Sequence, residues 1–111
     1  MEIVIKEHIG DRATDMDQGN IICGLIKDTF AANQDVTLNF ADMTTVLFAF
    51  LNTAVGSLYQ DYSSEYLNSH LHIVNLCADD MFLLRRVTRR AKDFYANREA
   101  ITKNLDASFS E

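Results

Sequence analysis

A chain of 111 residues with 48% hydrophobic and 23% charged residues has the size and composition of one globular domain, which excludes the disordered and fibrous classes. A formal net charge of -6 sets an average surface field that repels a phosphate backbone, so nonspecific nucleic-acid binding is disfavoured. The charged start MEIVIKEH is unlike a secretory leader, and no apolar stretch approaches the roughly 20 residues that span a bilayer, so the expectation is a cytoplasmic protein.

In chain order, residues 2 to 8 alternate with Ile3 and Ile5 on one side, which predicts a first strand. Gly10 to Asp15 reads as a loop, with Asp15 or Asp17 as the cap of a helix running from about Asp17 to Ala32. Along it Ile22, Leu25, Ile26 and Phe30 recur at helical spacing, while Lys27 and Asp28 face away. Gly24 in its interior is expected to mark close packing against the sheet. Val36, Leu38 and Phe40 alternate with Thr37 and Asn39 and predict a second strand. After Asp42 the apolar period changes from two to about 3.6, and Leu47, Leu51, Ala54, Val55, Leu58 and Tyr62 form the stripe of a second helix. Residues 63 to 69 read as a loop with one helical turn, His70 to Leu76 as a third strand, and 75 to 80 as a turn in which Asp79 or Asp80 caps a last helix. That helix carries Met81, Leu84, Val87, Ala91 and Phe94 on one face, and residues 102 to 111 lose apolar density and are expected to form a mobile tail.

Strands alternating with helices predict a single α/β domain, residues 1 to 111, with three or four mostly parallel strands and about three helices. Three strands make a small sheet, so a further short strand is sought within 11 to 16, or an edge is covered by another chain in a homodimer. Cys23 and Cys77 each lie in an apolar run without a cysteine or histidine at ligand spacing, so both are expected to be buried thiols in a reducing compartment.

The inventory for chemistry is thin. His70 and His72 stand two apart on a predicted strand and share a face, yet no third ligand lies at a recognisable spacing, so no metal is called. The four glycines are scattered and form no phosphate loop, and no serine sits in a G-x-S-x-G elbow. With no catalytic residues and no cofactor called, the chain is read as no enzyme. Arg85, Arg86, Arg89, Arg90 and Lys92 place half of the ten basic residues within eight positions. Either they form a solvated face paired with Asp79, Asp80 or Asp93, or Arg85, Arg86, Arg89 and Arg90 bind an acidic or phosphate-bearing partner, protein or nucleic acid.

The run LNFADMTTVLFAFLNTAVGSLY, followed by HLHIVNL and an LLRRV helix, resembles the STAS-like domains, small bacterial proteins of largely uncharacterised function. These are relatives of the STAS domain, named for sulphate transporters and anti-sigma-factor antagonists. The resemblance covers Ile3 to about Tyr95, and its most specific parts are Phe50-Leu51-Asn52 and Gly56-Ser57-Leu58-Tyr59. It implies a regulatory module that binds a partner protein, such as a histidine-kinase-like ATPase or an anti-sigma factor, at the strand-to-helix turn over 42 to 50. The docking residues carried over are Asp42, Thr44, Thr45, Phe48, Phe50 and Asn52. In anti-sigma-factor antagonists a hydroxyl residue at the start of that helix is phosphorylated and the complex breaks. Here Leu47-Phe48-Ala49 precedes Leu51-Asn52 through Phe50, so the nearest candidate phosphoacceptors are Thr44 and Thr45, and otherwise docking is constitutive. Both threonines also suit turn formation and helix capping.

Overall fold

The computed structural model describes the backbone over residues 1 to 110 and side chains over residues 1 to 95; the tail expected over 102 to 111 lies outside the described side chains. The elements are β1 (Glu2–Val4), α1 (Ile5–Ile9), β2 (Arg12–Ala13), α2 (Met16–Ala31), β3 (Val36–Asn39), β4 (Thr45–Val46), α3 (Phe48–Ala54), a 3-10 helix (Gly56–Gln60), α4 (Ser64–His70), β5 (Leu71–Val74) and α5 (Ala78–Ser110). This is an α/β fold with parallel strands in two small sheets.

The larger sheet has the order β1-β3-β5. Ile3 lies beside Leu38 and Leu38 beside Ile73, and this row turns its side chains to the core, with Ile3 and Leu38 fully buried. Alternation sends the next rows to the opposite face. There Glu2, Thr37 and His72 line up, as do Val4, Asn39 and Val74, and none of the six is buried. Parallel sheets are commonly covered on both faces; this one puts its apolar core on one.

The predicted first strand stops at Val4. Ile5 and Ile9 are four apart and point inward while Lys6, Glu7 and His8 are exposed, so the helical period takes over until Gly10, whose φ of 82° ends α1. The short strand sought within 11 to 16 exists as β2, but it pairs with β4 in a separate two-stranded sheet. The N-terminus of α2 follows the sequence closely. Asp15 accepts from the Gln18 backbone amide at 2.8 Å, and the Gln18 side chain accepts from the Asp15 amide at 3.2 Å, a complete capping box.

The expectation for Gly24 is corrected. Gly24 is exposed with nothing near it, and the close approach falls at Gly19, where an added Cβ would lie 2.7 Å from Thr53 Cβ and 3.0 Å from the Phe50 carbonyl oxygen. Gly19 is therefore the point at which α2 and α3 come together. Of the two cysteines expected to be buried, Cys23 is buried, whereas Cys77 is exposed just before α5. Cys77 lies past the end of β5, where the chain has left the core.

The single helix predicted over 47 to 62 is divided into α3 and the 3-10 helix. Its stripe still packs inward at Leu51, Ala54, Val55 and Leu58, but the chain tightens at Gly56, where α5 brings Val87 against it. The loop read over 63 to 69 is a two-turn helix, α4, because the Ser63 hydroxyl caps the Tyr66 amide at 3.0 Å. Tyr62, Tyr66 and His70 recur every four residues, the Tyr62 ring stacked on Tyr66 and the His70 ring tilted against it. Asp79 and Asp80 lie in the first turn of α5 rather than before it, where their charge favours the helix dipole. No helix among the described residues is long and apolar enough to cross a membrane.

Candidate functional site

The turn after β3 is held from three directions. Asn39 Oδ1 accepts from the Ala41 amide and from the Asn75 side chain, both at 2.9 Å, which joins the ends of β3 and β5. Asp42 and Asn75 both adopt positive φ, 61° and 60°, a conformation that asparagine and aspartate tolerate better than most side chains. Asp11, across from β4, then receives the Thr44 amide on its carbonyl at 2.8 Å and the Thr44 hydroxyl on its carboxylate at 2.8 Å. The Thr44 hydroxyl lowers the Asp11 carboxyl below its ordinary range, with Lys6 and Arg12 adding smaller pulls in the same direction. Leu47 donates its amide to Ala13 and completes the clasp.

This geometry sorts the candidate docking residues. Asp42 is exposed at the tip of the turn, Thr44 is exposed with its hydroxyl bound to Asp11, and Thr45 is half-buried in β4, beside Arg12 of β2. Phe48 is half-buried at the first position of α3, and Asn52 is exposed one turn later. Phe50 is corrected outright: it is fully buried, one of the largest core side chains. Two positions along a helix turn a side chain by about 200°, so Phe48 and Phe50 cannot share a face, and the core takes Phe50.

Arg85, Arg86, Arg89 and Arg90 are all exposed on α5. Among the described residues none forms an ion pair, so the expected pairing with Asp79, Asp80 or Asp93 does not occur. Arg90 instead lies over the Phe48 ring, its guanidinium carbon 5.4 Å from the centroid, a cation–π distance. The two candidate surfaces, read separately in the sequence, thus meet. Arg90 and Asn52 also line one cleft of about 450 Å³ with Met16, Thr53, Ser57 and Phe94. Leu47, expected on the apolar stripe of the core, is instead 46% exposed beside Phe48.

A second polar cluster lies at the opposite end of the sheet. Asp35, ahead of β3, takes hydrogen bonds from His70 Nδ1 at 2.7 Å and His72 Nε2 at 3.4 Å. The carboxylate that the H-x-H pair lacked comes from 35 residues away, beyond the reach of a spacing rule. Among the described residues no group of three or more such side chains could hold a metal ion. His70 first, and His72 second, lower the Asp35 carboxyl. A carboxyl lowered in the folded state contributes stability above its ordinary range, and that contribution fades below it and is lost as pH falls through the lowered folded value. Asp35→Asn is therefore expected to lower the melting temperature slightly at neutral pH and by less below pH about 4, as thermal melts across that range would show.

Comparison with known proteins gives one match. A family model described as a STAS-like domain of unknown function (DUF4325) covers residues 18–81, from the first turn of α2 to the first turn of α5. The turn after β3 and all of α3 lie within that span, and the four arginines lie beyond it. No curated protein and no solved structure matches the chain.

Proposed function

The chain belongs to the STAS-like family, and on that premise we propose that it is a non-catalytic regulatory module, docking a partner protein on the surface from the turn at 42–45 to the exposed side of α3. The partner class implied by the wider family is a histidine-kinase-like ATPase or an anti-sigma factor. The observation that carries this reading is the apolar pair at the start of α3. Leu47 occupies the N-cap position without a capping side-chain bond and is 46% exposed, and Phe48 beside it is only half-buried. A helix start is ordinarily polar, and an apolar patch with a polar rim is the usual centre of a protein interface. Asp42, Thr44 and Asn52 form that rim.

Docking in this reading is constitutive. A phosphate on Thr44 would bring about two negative charges against the Asp11 carboxylate that its hydroxyl now contacts, opposing the β2–β4 pairing that shapes the surface. The test is capture from the native host with wild-type chain and with Phe48→Asp, a change at a half-buried side chain packed on the margin of the core, the fold of the variant being checked by circular dichroism. Wild type is expected to recover a specific partner that the variant loses; recovery of the same proteins by both would sink the assignment.

A further inference from the structure

We propose that the outward face of α5 seats an acidic segment of the docked partner, one rich in carboxylates and carrying a large apolar side chain. The inference rests on the docking reading above and adds the chemistry of what is docked.

Leu84, Val87 and Ala91 bury the inner side of α5. Phe82 lies away from that side and is 66% exposed, more than any other large apolar side chain among the described residues. Arg85, Arg86 and Arg89 follow it by three, four and seven positions, so on a helix all three flank the ring. An exposed aromatic among arginines is the composition of an interface hot spot. It also has no use for a partner that offers only phosphate. The arginines form no ion pair among the described residues although Asp79, Asp80 and Asp93 share their helix. Their guanidinium groups are left to bind carboxylates in two-point fashion. The stripe continues through Arg90 to Phe48, so this face is continuous with the docking surface at α3.

Charge decides between an acidic peptide and a nucleic acid. Positions 85 to 92 hold five of the ten basic residues and none of the sixteen acidic ones, so the rest of the chain, five basic against sixteen acidic, carries -11. A long polyanion would run from the patch onto that field and be repelled. A short segment confined to the patch stays within about one Debye length, roughly 8–10 Å, of the arginines.

The test titrates the isotope-labelled full chain with a short Glu-rich peptide bearing one Leu and one Phe, its Gln-for-Glu twin, and a single-stranded DNA of equal charge. The acidic peptide is expected to shift amide resonances between 82 and 90. Its affinity should fall roughly tenfold between about 50 and about 200 mM salt, as screened ion pairs do. The charge-reversed Arg85→Glu/Arg89→Glu chain, altered only at exposed positions, should keep its spectrum elsewhere and lose the peptide. Equal binding of the neutral twin, tighter binding of DNA, or shifts confined to residues away from α5 and the adjoining start of α3 overturns the proposal. So does sedimentation showing self-association that the charge reversal abolishes, because the occupant is then a second copy. The two readings fail separately. Phe48→Asp losing the native partner while the charge-reversed chain keeps it leaves docking at α3 and removes the acidic segment. The converse pattern keeps the acidic segment and moves the docking centre from α3 to α5.

Discussion

Phe50→Ala is expected to destabilise the fold by about 3–5 kcal/mol, the usual cost of emptying a phenylalanine site in a core that does not collapse. Phe50 is fully buried among Ile22, Leu51 and Leu58, which are themselves inaccessible. A domain of this size is stable by only about 5–15 kcal/mol, so the variant would stand near the edge of folding. Phe48→Ala should cost only about 1–2 kcal/mol, from part of the area term and the loss of the Arg90 contact. Urea melts of both variants would show the midpoint fall far more for Phe50 with slopes alike. Equal losses would make Phe48 a core residue and remove the centre of the proposed surface.

Two glycines eight or fewer residues into α2 are expected to respond with opposite sign. At Gly24 nothing lies within 4 Å of an added Cβ, so Gly24→Ala should gain about 0.5–1 kcal/mol from helix propensity and reduced freedom of the unfolded chain. At Gly19 the methyl would press on Thr53 Cβ and on the Phe50 carbonyl oxygen, neither of which is the free end of a flexible side chain. Forcing α2 from α3 costs about 1–3 kcal/mol, which exceeds most of the propensity gain, and Gly19→Ala is expected to be destabilising by about 1–2 kcal/mol. Thermal melts of the two single variants decide the matter, and a stabilising Gly19→Ala would contradict the close packing of these helices.

Much of the architecture was legible because it rests on local periods. The alternation of Val36, Leu38 and Phe40 placed β3, and the helical spacing of Ile22, Leu25, Ile26 and Phe30, with Asp15 as one of two candidate caps, placed α2. The division of the second helix was hidden, since residues 51 to 58 keep an inward stripe whether wound as α or 3-10. The same stripe took Leu47 as helical and core, which set the wrong phase for Phe48 and Phe50. Leu47 instead lies between β4 and α3, and two-residue strands such as β4 leave too little pattern to detect. Within the candidate site, the decisive pairs are distant in sequence. Asp11 meets Thr44 across 33 residues, and Arg90 reaches Phe48 from a different helix. No spacing rule encodes contacts that exist only after the helices pack.

The order β1-β3-β5 also bears on how the chain reaches this state. Glu2 pairs with Thr37, and Val36 with Leu71, so each ladder closes a loop of 35 positions and the larger sheet contains no hairpin. Neither ladder can form before most of an intervening segment is in place, and loop-closure entropy opposes both until their contacts are made. The domain should therefore fold more slowly than a helical bundle of equal length. Cutting it between β3 and β5 would leave two fragments, neither holding the whole of the larger sheet.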